Sequence, residues 1–90
     1  KAALNYFGLA LAAQLGERKI TVNTLAPGLT ETDMVSGLEG NPVIERTKQN
    51  TVLGRIGNVH DVAEAVAFLA SPGAGWITGE VIHATGGELL

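Results

Sequence analysis

The first part of the chain has the apolar spacing of a helix. Along residues 2–15, apolar side chains recur at steps of three and four: Leu4, Phe7, Leu11 and Leu15. This spacing predicts a helix, and Gly16 is a suitable end for it. Ala and Leu fill most other positions, so the apolar surface extends around most of the cylinder. We therefore expect the helix to be covered on more than one side, by its own core and by a second subunit; the alternative is burial in a monomer.

Two short segments have the composition of β-strands. Residues 20–25 are rich in β-branched side chains and run into a Pro-Gly pair, and residues 80–84 lie between glycines. Polar residues alternate with apolar ones in the first segment. Asn23 and Thr24 therefore either mark a solvated face or hydrogen-bond to backbone within a covered sheet.

The segment between the two strands contains helical pieces. Residues 34–38 have a short helical pattern that Gly40, Asn41 and Pro42 interrupt, and residues 43–50 form a second, polar piece. Asn58 and Asp61 then have the spacing of a capping box at the start of another helix.

The element order is thus helix, strand, broken helix, helix, strand. The long connection between the strands predicts a parallel pair with a right-handed crossover and an α/β fold. Two parallel strands make a small sheet, so we expect further strands outside this chain.

Composition narrows the possible classes of protein. The chain has 90 residues, 46% of them apolar, and a mean hydropathy of +0.23, which are typical of one small globular domain. Its net charge of −3 and its lack of a basic cluster argue against nucleic acid or an anionic membrane as a partner. With no cysteine and no long apolar run, we expect a cytoplasmic protein. No His, Asp or Glu spacing suggests a metal site.

The junction LAPGLTETDM, residues 25–34, follows the first predicted strand. Ligands of open parallel sheets bind beyond the carboxyl ends of strands, where such junctions lie. A glycine there permits close backbone approach, a proline fixes the chain direction, and free amides and hydroxyls bind polar groups. The candidate ligand-binding residues are Pro27, Gly28, Leu29, Thr30 and Thr32.

Two interpretations of this junction remain open. Thr30 and Asp33 have the spacing of a capping box, which closes a helix start without any ligand. Alternatively, the junction binds a ligand. Glu31 and Asp33 place negative charge there, which disfavours a bare phosphate, so a neutral group such as an amide is the better candidate.

Two stretches of the chain resemble the short-chain dehydrogenase/reductase family. The stretch KAALNYFGLALAAQLGERKITVNTLAPGLTETDM is similar to the family segment that begins at the catalytic lysine. The stretch LGRIGNVHDVAEAVAFLASPGAGWITGEVIHATGG is similar to the C-terminal end of the family, and residues 34–52 are the least alike. The resemblance implies a Rossmann-type, doubly wound parallel sheet. Residues 1–90 would be the C-terminal portion of its single domain, with the N-terminal dinucleotide-binding half outside this chain.

The resemblance also implies an activity and roles for site residues. Family members transfer a hydride between a nicotinamide cofactor, NAD or NADP, and an alcohol or ketone. Lys1 would be the lysine of the family's Tyr-x-x-x-Lys motif, which lowers the pKa of the catalytic tyrosine and holds the cofactor ribose. The backbone around Pro27, Gly28, Leu29 and Thr30 would meet the nicotinamide carboxamide. Thr32 would offer its hydroxyl to the carboxamide or the neighbouring phosphate.

Other parts of the family pattern precede Lys1. They are the Gly-rich phosphate loop, the residue that separates NAD from NADP, and the catalytic Ser and Tyr. We therefore expect the isolated 90-residue segment to be inactive. Tyr6 has the wrong offset to replace the tyrosine, and we expect it to pack.

The segment 34–50 would correspond to the family's substrate lid. Its sequence does not identify the substrate, although the overall pattern is most like members of the 3-oxoacyl-acyl-carrier-protein reductase type. We expect a homodimer or homotetramer. The alternative function is a non-catalytic interaction module that pairs through the helix at residues 2–15.

Overall fold

The computed structural model describes residues 2–31, 37 and 40–88. Helices and strands alternate along these residues, so the predicted α/β class is confirmed. Short 3-10 turns lie at Gly16–Arg18 and Pro72–Ala74. The α-helices and strands of the described residues are α1 (Ala2–Leu15), β1 (Thr24–Pro27), β2 (Thr30–Glu31), α2 (Pro42–Asn50), β3 (Gly57–Asn58), α3 (Val59–Leu69) and β4 (Val81–Ala84).

The strands form two pairs, β1 with β4 and β2 with β3. Thr24 N–H donates to the Glu80 carbonyl at 2.8 Å, and Gly28 N–H donates to the Ala84 carbonyl at 3.1 Å. Both partners advance by four residues, so β1 and β4 run parallel, as predicted. The helical prediction for residues 34–38 falls mostly outside the described residues.

The chain divides into two compact units. The first contains Lys1–Ala26 and Val66–Ile82, and the second contains Pro27–Ala65 and His83–Leu90. In the first unit α1 lies close against β1, because a Cβ added at Gly8 would lie 2.8 Å from Thr24 Oγ1. The small side chain at this position therefore sets how near the helix comes to the strand.

The first strand begins later than the sequence predicts. Residues 20–25 were expected to be strand, but β1 starts at Thr24. The physical reason is that the Asn23 side chain makes hydrogen bonds where a strand would make backbone-to-backbone hydrogen bonds. Its amide Nδ2 donates to the Ile77 carbonyl at 3.1 Å, and its Oδ1 accepts from Glu80 N–H at 3.1 Å. Of the two interpretations of Asn23, hydrogen bonding to backbone is therefore the correct one.

Large apolar side chains of the first unit are exposed within this chain. Leu4 and Phe7 on α1 are 62% and 61% exposed, and Trp76 is 99% exposed. Tyr6 is 74% exposed, so the prediction that it packs is wrong for the chain as it stands. Exposed apolar side chains that form a large patch commonly mark a surface that another protein segment covers.

Helix length bears on the question of membrane insertion. Within residues 2–31, 37 and 40–88, every helix is too short or too polar to span a bilayer.

Candidate functional site

The start of α3 is fixed by two reciprocal hydrogen bonds. Asp61 N–H donates to Asn58 Oδ1 at 3.0 Å, and Asn58 N–H donates to Asp61 Oδ2 at 2.9 Å. This is the capping box that the sequence predicts, and each side chain satisfies a backbone donor at the helix end.

Arg55 adds a bidentate ion pair to this capping box. Its Nη1 lies 2.7 Å from Asp61 Oδ2, and its Nη2 lies 3.1 Å from Asp61 Oδ1. Nη1 also donates to the Ile56 carbonyl at 3.1 Å. We call Arg55, Asn58 and Asp61 the Asp61 clamp, because the Asp61 carboxylate binds both other members.

The clamp perturbs the titration of its charged members. The hydrogen bond from Arg55, followed by the backbone hydrogen bond from Asn58, lowers the pKa of Asp61 to about 2. The same carboxylate raises the pKa of Arg55, mainly through the hydrogen bond. Both groups are therefore charged across the whole physiological range, and the clamp does not switch with pH there.

Residues 27–31 form a loop at the carboxyl end of β1, which we call the Pro-Gly loop. Gly28 packs tightly there, because an added Cβ would lie 3.1 Å from Thr85 Cα. Its N–H is held by the Ala84 carbonyl at 3.1 Å, and its own carbonyl accepts from Thr30 Oγ1 at 3.0 Å. The start of the loop is therefore anchored to the end of β4 and the residue that follows it.

The end of the Pro-Gly loop is anchored to the clamp segment. Strand β2 pairs in parallel with β3, with Thr30 opposite Gly57 and Glu31 opposite Asn58. Gly57 N–H also donates to the Leu29 carbonyl at 3.0 Å. Two residues are too few for a periodic pattern, so the sequence did not predict this pairing.

A cavity of about 150 Å³ lies between the Pro-Gly loop, the clamp and the residues after β4. It is lined by Leu29, Leu53, Arg55, Gly57, Asp61, Ala84, Thr85 and Gly86. Among the described residues no side chain fills this space, so the hydrogen bonds described above, more than packing between those residues, hold the loop on this side.

A second set of contacts joins the residues before the clamp to the residues after β4. Val52 N–H donates to the Gly87 carbonyl at 3.2 Å, and Leu53 N–H donates to the Gly86 carbonyl at 3.1 Å. Thr51 is 8% exposed, and its hydroxyl lies 3.2 Å from the Arg55 carbonyl. Of the bonded residues, Leu53, Arg55 and Gly86 also line the cavity, so these bonds hold part of its wall.

The structure brings four of the predicted site residues together in one loop: Pro27, Gly28, Leu29 and Thr30. They offer backbone groups and one hydroxyl but no charged side chain, a donor set that fits a neutral amide. Thr30 lies in β2, and its supposed capping partner Asp33 lies outside the described residues. Lys1 and Thr32 also lie outside the described residues, so their roles stay predictions.

No metal centre accompanies the loop in the part of the chain that the structure describes. No group of three or more His, Asp or Glu side chains there is close enough to share a metal ion.

Comparison with known proteins identifies the family. A family model described as enoyl-(acyl carrier protein) reductase matches residues 1–88. The chain belongs to the short-chain dehydrogenase/reductase family. This confirms the resemblance and the Rossmann-type fold that the sequence motifs indicate.

Individual relatives agree with this family membership. The 3-oxoacyl-[acyl-carrier-protein] reductase of Vibrio harveyi is 44% identical over 90 residues, which are 100% of this chain and 36% of that protein. A crystal structure of 3-oxoacyl-[acyl-carrier protein] reductase from Brucella melitensis matches with a TM-score of 0.90 and 32% identity, over 99% of this chain and 33% of that one. Angucycline C-6 ketoreductase LanV with bound NADP matches with a TM-score of 0.83 and 42% identity, over 96% of this chain and 33% of that one. The chain thus spans about a third of the length of these relatives.

The Asp61 clamp is the part of the site that sequence reasoning missed. Asp61 was assigned to the capping box alone. The available signal was Arg55 six residues before it, with Gly57 between them at the turn. Such a spacing falls outside the i,i+3 and i,i+4 rules for charge pairs on one helix, so the pair is visible only in three dimensions.

Proposed function

We propose that the complete protein containing this chain is an oxidoreductase that transfers a hydride between a nicotinamide cofactor and an alcohol or ketone. In this proposal residues 1–90 are the C-terminal portion of its single Rossmann-type domain. The observation that carries it is that residues 27–30 of the Pro-Gly loop, at the carboxyl end of β1, have no charged side chain, in a chain of this family. Ligands of open α/β sheets bind at such strand ends.

The Pro-Gly loop would bind the nicotinamide carboxamide. Gly28 anchors the loop to the end of β4, and the backbone near Leu29 and Thr30 would exchange hydrogen bonds with the amide. These bonds would fix one face of the ring toward the substrate, which is the orientation that hydride transfer requires. When bound, the cofactor supplies or accepts the hydride; the loop supplies position.

Lys1 and Thr32 complete the proposed site. The Lys1 ammonium would hold the cofactor ribose and favour the phenolate form of a nearby tyrosine outside this chain. The Thr32 hydroxyl would bind the carboxamide or the adjacent phosphate.

NADP(H) is the favoured cofactor, and a 3-oxoacyl thioester is the favoured class of substrate. The related ketoreductase LanV is described with bound NADP, which supports NADP(H). The relatives from Vibrio harveyi and Brucella melitensis are 3-oxoacyl-[acyl-carrier-protein] reductases, which supports the substrate class.

The proposal is tested by binding and turnover with the complete protein. NADPH and NADH are titrated separately by fluorescence, and reduction of acetoacetyl-coenzyme A is followed by the loss of reduced cofactor. We expect saturable NADPH binding and turnover that depends on both reactants. The proposal would be refuted if neither NADPH nor NADH bound.

The exposed apolar side of α1 supports a second candidate, a non-catalytic module that pairs with another chain. Leu4, Phe7 and Leu9 are all more than half exposed, at 62%, 61% and 53%. The same surface fits the homodimer or homotetramer expected for the enzyme. The candidates differ in ligand binding: an oligomer that binds no nicotinamide cofactor would favour the module. A cytoplasmic location stays a prediction, which cell fractionation tests.

A further inference from the structure

We infer that Arg55 and Asp61 are positioning residues that set the height and orientation of the Pro-Gly loop beneath the nicotinamide. This inference rests on the proposed function. The two side chains act on the loop through the backbone of residues 56–58, and neither is assigned contact with the cofactor.

The first step of the argument is the rigidity of residues 55–58. Asp61 Oδ2 accepts from both Arg55 Nη1 and Asn58 N–H, at 2.7 and 2.9 Å. Arg55 Nη1 also reaches the Ile56 carbonyl at 3.1 Å. The first and fourth residues of this four-residue turn are thus tied to Asp61 at the beginning of α3, and its second residue is bonded to the Arg55 side chain.

The second step is the transfer of this rigidity to the Pro-Gly loop. Gly57 is the turn residue without a clamp bond of its own, and its N–H donates to the Leu29 carbonyl at 3.0 Å. Pairing of β2 with β3 continues the contact at Glu31 and Asn58. The clamped turn therefore fixes the backbone that is proposed to meet the carboxamide.

The third step is that packing among residues 2–31, 37 and 40–88 does not replace these bonds on this side. The cavity of about 150 Å³ lies against Leu29, Gly57, Arg55 and Asp61. If the turn were released, the loop would have room to move into this space. The Pro-Gly loop would then lose its fixed position while the protein as a whole stays folded.

The clamp is poorly placed to stabilise the protein as a whole. The side chains of Arg55 and Asp61 are 52% and 38% exposed. Solvent screening limits what an ion pair this exposed adds to the global stability of the protein. A local effect on the loop, with little change in unfolding, is therefore the signature that separates positioning from general stabilisation.

The experiment uses the complete protein as wild type and as the Asp61→Asn, Arg55→Gln and double variants. The matched control is Glu64→Gln, which removes a negative charge from an exposed position of the same helix, away from the turn. Two readouts are taken. One is residue-level amide hydrogen exchange without cofactor. The other is affinity for the preferred reduced cofactor and for its counterpart without nicotinamide, 2′-phospho-ADP-ribose or ADP-ribose.

We expect Asp61→Asn to speed exchange of the Gly57 amide at least about fivefold while the Gly28 amide, which is bonded to Ala84, keeps its rate. Cofactor affinity should fall about fivefold, the value of one net hydrogen bond, with unchanged affinity for the nicotinamide-free ligand. Arg55→Gln should change the exchange rate and the cofactor affinity as much as Asp61→Asn does. The double variant should show no larger change than either single variant, because all three disrupt the same hydrogen-bonded pair. Glu64→Gln should behave as wild type.

Three outcomes would overturn the inference. In the first, Asp61→Asn leaves Gly57 exchange and cofactor affinity unchanged in a protein that binds cofactor, which refutes the inference alone. In the second, the variant weakens both ligands equally, which indicates a general structural role. In the third, the wild type binds neither NADPH nor NADH, which refutes the proposed function and with it the inference.

Discussion

Gly87 offers the sharpest test of how the residues after β4 pack against the segment before the clamp. Its φ is +78°, and an added Cβ would lie 2.8 Å from Val52 Cβ and 2.9 Å from Val52 Cγ2. Gly87→Ala therefore imposes two separate costs. A left-handed conformation costs an alanine about 1 to 2 kcal/mol, and overpacking costs about 1 to 3 kcal/mol. We expect Gly87→Ala to lower the free energy of unfolding by about 2 to 5 kcal/mol.

A control and a rescue separate these two costs. Gly54 has a φ of +75° and no atom within 4 Å of an added Cβ, so Gly54→Ala should show only the conformational cost of about 1 to 2 kcal/mol. Val52→Gly removes the clashing atoms, so Gly87→Ala should cost about 1 to 3 kcal/mol less in that background. Urea unfolding of the complete protein measures each variant. Equal losses for Gly87→Ala and Gly54→Ala, or no rescue by Val52→Gly, would refute the packing argument.

Two further predictions concern the clamp and the helix α1. The pKa of Asp61 is lowered from 3.8 to about 2 in the folded protein, so the carboxylate stabilises the fold above pH 3.8 and this contribution disappears as the pH falls to about 2. Because the ion pair is exposed, the unfolding midpoints of wild type and Asp61→Asn should differ only slightly above pH 3.8, and this small difference should disappear at the acid end; a difference that stays constant over this range would contradict the assignment. Gly8→Ala places a Cβ 2.8 Å from Thr24 Oγ1, and we expect a net loss of about 1 to 2 kcal/mol after the gain in helix propensity. Gly16→Ala, with nothing within 4 Å, should show no such loss in the same urea titration.

The helices were predictable because their signals are local. Apolar residues at steps of three and four define α1, and the Asn58 and Asp61 side chains that cap α3 are three residues apart in sequence. Such interactions depend on spacing alone, so one sequence is enough to identify them.

The start of β1 and the pairing of β2 with β3 were not predictable for the opposite reason. Asn23 replaces a backbone ladder with bonds to residues 77 and 80, more than 50 positions away. The two-residue strands carry no pattern of their own. One partner of the pair, β3, lies in the turn at residues 55–58, which side-chain hydrogen bonds hold.

The candidate site was predictable in part. The Pro-Gly loop stands out because proline and glycine interrupt a β-branched segment and polar residues follow. The Asp61 clamp became visible only when folding placed Arg55 opposite the helix start. Lys1 and Thr32 were assigned through the family resemblance, and their roles stay predictions.

The central claim is that the Pro-Gly loop binds the nicotinamide carboxamide, and a crystal structure of the complete protein with NADP(H) tests it most directly. We predict the carboxamide within about 3 Å of a backbone nitrogen or oxygen of Leu29 or Thr30. A nicotinamide ring bound elsewhere, with residues 27–31 making no contact to it, would contradict the account.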